Sequence, residues 1–339
     1  MKKIKIGING FGRIGRIAAR IILNRENMEL VAINSRADSF SHAYLLKYDS
    51  TYASLDLKIK ANKDQLDVDG QKVAVLNVPT PSEIPWNKYK VDLVIDATGK
   101  FRTTNDLQGH LGEGVRNVVL SAPAKDLTKT IVMGVNQESF DPGIDKIVSN
   151  SSCTTNCLAT VLKVIHGSFV IKKAFMTTTH ALTDSQNLLD NSHSKEKRLS
   201  RSALLSIIPA ATGSAKDIIK LYPQLSGKII CQAIRVPIST VSMINLVAQV
   251  GKKVSKETID SAFQKASESD LKNILSVAKN ELVSVDYKGS PYSSVYDPFL
   301  TSVIDGSLIN LYAWYDNEWG YATRLVDLCS FIGKKVNLI

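Results

Sequence analysis

The sequence is short of cysteine, of histidine and of long apolar runs. Its 339 residues include four cysteines and five histidines. No apolar run approaches the roughly 18 residues that a membrane-spanning helix requires. The start, MKKIKIGINGFGRIGR, interrupts its hydrophobic residues with glycine, asparagine and arginine, unlike a secretory leader. The expected compartment is the cytoplasm, where so few cysteines point to thiols rather than to a disulfide framework. The one close pair, Cys153 and Cys157, has no second Cys or Cys/His pair at a matching interval, so no metal site is expected. There is no low-complexity segment and no internal repeat, and a globular chain is favoured over a disordered or fibrous one.

What is present suits a soluble globular chain: 44% apolar and 22% charged residues, with length enough for two cores. Lys and Arg outnumber Asp and Glu by 42 to 32. The excess is scattered, and its densest stretch, Lys195 to Arg198 with Arg201, is mixed in sign. An anionic small-ligand pocket is favoured over nucleic acid as the primary partner, although a basic nucleic-acid or surface-binding protein without catalysis stays as the alternative of another class.

Residues 3 to 8 alternate and break into glycines, and RIGRIAARIILN then carries apolar residues at helical spacing. Further strands are expected at 29 to 34, in VDLVIDATG at 91 to 99, in RNVVLSAP and in KIVSN. This half reads as a doubly wound parallel sheet of Rossmann type. From Ser151 a helix to about His166 precedes long alternating strands: KKAFMTTTHAL, KIICQAIRVP, TVSMINLVAQV and SLINLYAWYD. One helical stretch is expected near 255 to 279, within an α+β domain whose sheet is mostly antiparallel. The final GYATRLVDLCSFIGKK has helical spacing. The expected domains are 1–151 with 318–339 for the first, its C-terminal helix packing back, and 152–317 for the second.

Gly10-Phe-Gly12-Arg-Ile-Gly15 sits between the first strand and the first helix, the context that makes G-x-G-x-x-G a dinucleotide site. Gly10 permits the tight turn, Gly12 lets a diphosphate reach the backbone, and Gly15 lets helix and strand pack closely. The second strand ends Asn34-Ser35-Arg36 where NAD binders usually carry a carboxylate. Arg36 could pair with a 2′-phosphate, which leans toward NADP; alternatively Arg36 faces water and Asp38 or Asn34 holds the ribose.

In Ser151-Ser-Cys-Thr-Thr-Asn-Cys157, Cys153 falls in the first turn of a helix, where the dipole and free N–H groups lower a thiol pKa. Cys157, one turn deeper, reads as a small core residue. The candidate base is His180 in TTTHALT. His42, His110, His166 and His193 sit in helical or loop contexts without hydroxyl neighbours of that density.

GINGFGRIGR (7–16), KYDST (47–51), DATGKF (96–101), SCTTNCLA (152–159), TTTHALT (177–183), IIPAATGSAK (207–216), RVP (235–237) and WYDNEWGYATR (314–324) stand in the order and spacing of one family. Over essentially its whole length the chain resembles the phosphorylating glyceraldehyde-3-phosphate dehydrogenases. The resemblance implies oxidation of D-glyceraldehyde 3-phosphate, with NAD or NADP and inorganic phosphate, to 1,3-bisphosphoglycerate through a cysteine thioester. It implies Cys153 as nucleophile, with its backbone N–H facing the oxyanion, and His180 as base. It carries over Thr183 and Arg235 to the substrate phosphate, and Ser152, Thr154, Thr212 and Gly213 to the inorganic one, with Arg198 near both. On the cofactor side it carries over Asn9, Gly10, Phe11, Gly12, Arg13, Ile14, Asn34, Ser35, Arg36, Thr98, Gly99, Ser121, Asn317 and Tyr321. A homotetramer is implied, with segment 181–207 near a subunit contact.

Some positions depart from the family pattern. Arg198-Leu-Ser-Arg201 stands where Arg-Arg-x-Arg is frequent, so Lys195 or Lys197 would have to replace a basic contact. Thr183-Asp-Ser-Gln186 moves an acid by one position. Ser35 and Ser192 agree with NADP use, whereas Pro79 occupies a place where some NADP users carry arginine. The nearest alternative enzyme is an erythrose-4-phosphate dehydrogenase, against which Thr212 to Lys216 resembles the triose enzyme.

Overall fold

A computed structural model describes residues 2–112, 114–193 and 196–339, so Lys195 lies outside the described residues. The chain divides into two compact units, Met1–Ser152 with Ala322–Ile339, and Cys153–Tyr321.

In the first unit the elements are β1 (Ile4–Asn9), α1 (Arg13–Leu23), β2 (Met28–Asn34), α2 (Ser39–Lys47), β3 (Ile59–Asn62), β4 (Gln65–Val68), β5 (Gln71–Leu76), β6 (Leu93–Asp96), α3 (Thr104–Leu107), β7 (Asn117–Leu120), β8 (Lys129–Thr130) and β9 (Ile147–Ser149). The sheet runs β3-β4-β5-β2-β1-β6-β7-β9-β8. It is parallel from β5 to β8, and β3 and β4 extend it as antiparallel strands. The five expected strands form its centre.

β1 buries Ile4, Ile6 and Ile8 completely, because helices cover both faces of such a sheet. α1 seals one face with Ile17, Ala18, Ile21 and Ile22, each large side chain worth about 1.5–3 kcal/mol. A second cluster packs Trp86, Val91, Val94, Leu107 and Val118. Strand order reverses about β1, with β2 on one side and β6 on the other, so β1 and β6 end at a topological switch point, the place where such sheets take ligands. β3, β4 and β5 were not among the expected strands. β4 and β5 are joined through Asp69 and Gly70, both left-handed at φ 46° and 88°, the pair of positive φ angles that a two-residue hairpin turn needs.

The second unit contains α4 (Cys153–Phe169), β10 (Ile171–His180), β11 (Ile208–Ala210), α5 (Ser214–Leu221), β12 (Ile229–Arg235), β13 (Ser242–Val250), α6 (Lys256–Glu268), β14 (Leu275–Val277), β15 (Ser294–Ile304) and β16 (Leu308–Tyr315). The order is β11-β12-β10-β13-β16-β15-β14. Four of the six junctions are antiparallel; β10 with β12 and β14 with β15 are parallel, so the sheet is mixed. α4 packs on the face that buries Met176, Thr178 and His180 of β10, with Ile244, Leu246, Leu311 and Tyr315 beside them. The expected helix near 255–279 stops at Glu268: beyond it Asn273 turns left-handed at φ 65°, and Leu275 buries itself in β14.

α7 (Trp319–Lys335) begins at the end of the second unit, and its later part belongs to the first. There Arg25 donates to Asp327 at 2.6 Å and Asn27 to Ser330 at 2.8 Å.

Candidate active site

In the first unit the glycine turn follows directly from stereochemistry. Gly10 has φ +92°, and a Cβ there would lie 2.6 Å from the Thr98 nitrogen. A Cβ on Gly15 would lie 2.1 Å from the Gly10 carbonyl oxygen, whereas one on Gly12 would meet nothing within 4 Å. Gly12 is the N-cap of α1, no side chain caps the helix there, and no acidic residue occupies its first turn. An open helix terminus with that polarity suits an anionic diphosphate.

Around it the polar residues are already anchored. Asn34 donates to the Asn9 Oδ1 at 2.7 Å and to the Val78 carbonyl at 2.9 Å, while accepting from the Val78 N–H at 2.8 Å. Asn9 in turn donates to Asp96 at 2.8 Å. The same buried carboxylate accepts from the Thr98 N–H and hydroxyl, at 3.1 and 2.7 Å. Gly99 follows with φ +65°, and the Ser121 N–H donates to the Asp96 carbonyl at 2.8 Å. Phe11 is buried edge-on to His42 at 5.2 Å. Arg13 pairs with Asp49 at 2.5 Å, fixing the KYDST loop, and Ile14 continues the first turn of α1.

At the end of β2 the Ser35 N–H bonds Leu76 at 2.9 Å, and Arg36 is exposed. Asp38 caps α2, accepting from the Ser41 N–H and hydroxyl at 2.9 and 2.8 Å, which holds its carboxyl below its ordinary pKa. His110, passed over in the sequence, is fully buried: it accepts from Trp86 Nε1 at 3.1 Å, and its Nε2 lies 3.2 Å from Asp96. The signal for it was weak, since a histidine in a loop declares no partner.

In the second unit Cys153 is the first residue of α4, and the residue two before it, Ser151, is left-handed at φ 57°. A non-glycine held so is a sharp turn, here aiming the helix start. The Cys153 sulfur lies 3.4 Å from Nε2 of His180, the last residue of β10. His180 Nδ1 has the Ala181 carbonyl at 2.8 Å and Arg235 Nη1 at 2.6 Å. The parallel pairing of β10 with β12 puts His180 and Arg235 in register, and the Val236 N–H donates to the His180 carbonyl at 3.0 Å.

Burial, with Arg235 beside it, lowers the imidazole pKa to about 3. Burial also raises the Cys153 thiol, against the opposing pull of the Arg235 charge and of hydrogen bonds from Thr154. The direction is opposite to the lowering expected from the helix terminus, because desolvation, the largest cause, disfavours the thiolate. Cys153 is half-buried, so the sulfur is shielded without being sealed from a reactant. Cys157 is completely buried and inert, its thiol pushed well up.

Behind the pair, the Tyr315 hydroxyl shares hydrogen bonds with Thr154 and Thr178, 2.9 Å each, and its ring lies edge-on to His180 at 6.0 Å. Tyr315 stands inside a motif quoted above but had been given no role. Asn317 Oδ1 accepts from the Ser242 hydroxyl at 3.0 Å, and that hydroxyl accepts from the Ala181 N–H at 3.1 Å, so one serine ties Asn317 to the histidine strand. Tyr321 is buried in the first turns of α7.

The expected phosphate residues are more dispersed. Thr183 shares a hydrogen bond with Ser185 at 2.9 Å, Thr212 bonds the Ser214 hydroxyl at 2.9 Å at the start of α5, and Gly213 caps that helix. Arg198 and Lys197 are exposed in a single helical turn, and Ser152 is half-buried. Among the described residues no group of three or more His, Cys, Asp or Glu could hold a metal, and no helix is long and apolar enough to cross a membrane.

Residues 4–104 match the family model for the glyceraldehyde 3-phosphate dehydrogenase NAD binding domain, and residues 152–317 that for the C-terminal domain. The chain is 43% identical over 331 residues to glyceraldehyde-3-phosphate dehydrogenase 1 of Bacillus cereus, covering 98% of this chain and 99% of that one. To the enzymes of the same name from Geobacillus stearothermophilus and Streptomyces coelicolor it is 44% identical, over 332 and 335 residues, with 98% of this chain and 99% of each relative covered. With both of its units matched, and relatives this similar along nearly its whole length, the chain belongs to the glyceraldehyde-3-phosphate dehydrogenase family.

Proposed function

We propose that this protein is a phosphorylating glyceraldehyde-3-phosphate dehydrogenase that oxidises D-glyceraldehyde 3-phosphate to 1,3-bisphosphoglycerate with NAD or NADP and inorganic phosphate. The observation that carries the reading is the Cys153 sulfur 3.4 Å from His180 Nε2 at the start of α4. His180, neutral through burial, removes the thiol proton as sulfur attacks the aldehyde carbon, and the N–H groups at the helix start face the developing oxyanion. The same imidazole takes the hydroxyl proton of the thiohemiacetal during oxidation. The bound nicotinamide supplies the hydride acceptor. Attack of inorganic phosphate on the thioester then releases the acyl phosphate and returns the thiol.

Arg235 and Thr183 bind the substrate phosphate in this reading. Ser152, Thr154, Thr212 and Gly213 bind the inorganic phosphate, with Arg198 or Lys197 contributing charge. The glycine turn, Asn9, Phe11, Arg13, Ile14, Asn34, Thr98, Gly99 and Ser121 fit a dinucleotide, since the terminus of α1 beside Gly12 is uncapped and open. The family resemblance assigns Asn317 and Tyr321 to the cofactor as well. Ser35 in place of a carboxylate, with Arg36 exposed next to it, supports acceptance of a 2′-phosphate and thus use of NADP beside NAD. Assembly into a homotetramer through segment 181–207 is supported by the exposure of Leu188, Leu189, Leu204, Leu205 and Ile207 there.

The test is steady-state oxidation of glyceraldehyde 3-phosphate with each dinucleotide, with and without added phosphate. Phosphate-dependent turnover of the triose is expected. Preference for erythrose 4-phosphate without phosphate dependence would overturn the proposal.

A further inference from the structure

The first unit holds a buried side-chain network that the proposed chemistry does not use. At its centre is Asp96, the last residue of β6, which is fully buried. Its Oδ1 accepts from the Thr98 N–H at 3.1 Å and from the Thr98 hydroxyl at 2.7 Å. Its Oδ2 accepts from the Asn9 amide at 2.8 Å and has His110 Nε2 at 3.2 Å. The tautomer of His110 is set by its other neighbour. An indole N–H only donates, so His110 Nδ1, 3.1 Å from Trp86 Nε1, carries no proton. The ring proton is therefore on Nε2 and is given to Asp96. The Asn9 amide nitrogen, 3.4 Å from Nε2, is then a neighbour of the ring and not a donor to it.

Beyond Asn9 the order of donors continues into the end of β2. Asn34 gives one amide hydrogen to Asn9 Oδ1 at 2.7 Å and the other to the Val78 carbonyl at 2.9 Å. The Thr98 hydroxyl gives its proton to Asp96 and accepts from the Lys100 N–H at 3.1 Å. Neither side chain has a hydrogen left for a ligand. What they hold instead is backbone. Asn9 directly precedes Gly10, and the Thr98 nitrogen is the atom that a Cβ on Gly10 would meet at 2.6 Å. Asp96 thus clamps the two segments whose close approach makes the glycine turn, the end of β1 and the loop after β6.

The far end of the network is seated by packing. A Cβ on Gly7 of β1 would come within 2.8 Å of the Trp86 ring, and one on Gly109 within 2.9 Å of the Ser82 nitrogen. Packing alone does not demand an imidazole there, because exchanging a buried donor and acceptor together for hydrocarbon of the same shape is nearly neutral for stability. Orienting a carboxylate does demand one. We infer that His110 is a positioning residue of the dinucleotide site, its Nε2–H holding Asp96 in the orientation that fixes the glycine turn, and that Trp86 acts through His110 by fixing its tautomer. This rests on the reading of that turn as the cofactor site. Because the reacting cysteine and histidine belong to the other unit, loss of His110 should appear in dinucleotide affinity and not in the chemical step.

The experiment is calorimetric titration of the full-length protein with NAD and with NADP, alongside steady-state triose oxidation and thermal unfolding, for wild type, His110→Phe, Trp86→Phe and the double variant. His110→Phe keeps a buried ring but removes both nitrogens. It is expected to weaken dinucleotide binding about tenfold and to raise the dinucleotide KM by a similar factor, with kcat at saturation within about twofold of wild type. Trp86→Phe leaves Nε2 in place but frees the tautomer, and should weaken binding about threefold. The double variant should bind as His110→Phe does, since Trp86 has no route to Asp96 once the imidazole is gone. A lowered unfolding midpoint with unchanged dinucleotide affinity in His110→Phe would leave a structural role alone and overturn the inference, as would losses that add in the double variant. If His110→Phe does not fold, Trp86→Phe decides, and affinity equal to wild type there overturns the inference. Wild-type binding that no variant weakens removes the inference and leaves the cofactor reading standing. A wild-type protein that binds neither dinucleotide removes both.

Discussion

Gly12 and Gly15 lie three residues apart in one turn, yet their replacement by alanine should fail in different ways. At Gly15 the added methyl would sit 2.1 Å from the Gly10 carbonyl oxygen, more than about 1 Å inside contact distance. The carbonyl has little room to retreat, because the Gly10 N–H is held by the Asn34 carbonyl at 2.8 Å and even a Cβ on Gly10 would meet the backbone of Ala97 and Thr98. α1 must lift instead, away from the Ile8 side chain and the rest of β1. Overpacking of this kind costs about 1–3 kcal/mol, against which alanine returns about 1 kcal/mol of helix propensity. Gly15→Ala is therefore expected to lower stability by up to about 2 kcal/mol and, by shifting the helix terminus, to weaken dinucleotide binding about tenfold or more. At Gly12 the methyl meets no protein atom within 4 Å. Gly12→Ala should leave the unfolding midpoint without cofactor within about 0.5 kcal/mol of wild type. It should nevertheless weaken binding, because the methyl occupies the approach of the diphosphate. Denaturant unfolding without cofactor, and calorimetric titration with NAD, measure both. Equal destabilisation by the two substitutions, or unaltered NAD affinity in Gly12→Ala, would refute the division of labour.

Cys153→Ser is expected to abolish aldehyde oxidation with dinucleotide affinity nearly unchanged, and Cys157→Ala to lower stability by about 1 kcal/mol while leaving turnover close to wild type; alkylation mapped by mass spectrometry should find Cys153 as the thiol whose loss tracks activity. Arg36→Ala should weaken NADP binding about tenfold or more and NAD binding little, as read by paired titrations, and equal effects would dismiss a 2′-phosphate contact. The buried imidazole also sets a pH dependence. His180 is neutral in the folded chain to about pH 3, but in the unfolded chain it takes a proton below about 6.5. The unfolded state then binds more protons, so stability falls as pH drops through this window, by about 3 kcal/mol at pH 4.5. His180→Gln should lose less stability than wild type between pH 7 and 4.5 by about that amount, and parallel losses would show that the histidine is not held neutral by burial.

What could be read from the sequence and what could not follow a physical division. Gly10, Gly12 and Gly15 were legible because the absence of a Cβ is itself the property that the turn uses. The hairpin of β4 and β5 was legible in principle through Asp69-Gly70, but its charge-rich alternation hid it. β15 was masked by Pro298: proline has no N–H to give, and pairing with β16 slips between Asp297 and Ser302. The helix start at Cys153 was visible as a local pattern, whereas the burial that raises its thiol pKa is a sum over distant elements.

The same holds for the candidate site. Cys153 and His180 are 27 residues apart and His180 and Arg235 are 55 apart, and no spacing rule joins them; only the family resemblance set them in one site in advance. What brings His180 and Arg235 together is the parallel register of β10 and β12. Because a one-residue slip would turn every side chain of β12 to the opposite face, that register is specified by the burial of Ile229 and Ala233 as firmly as by any contact at the site. The contact of Arg235 with Nδ1 of His180 is thus a product of sheet packing, which is why it could not be read from the histidine motif alone.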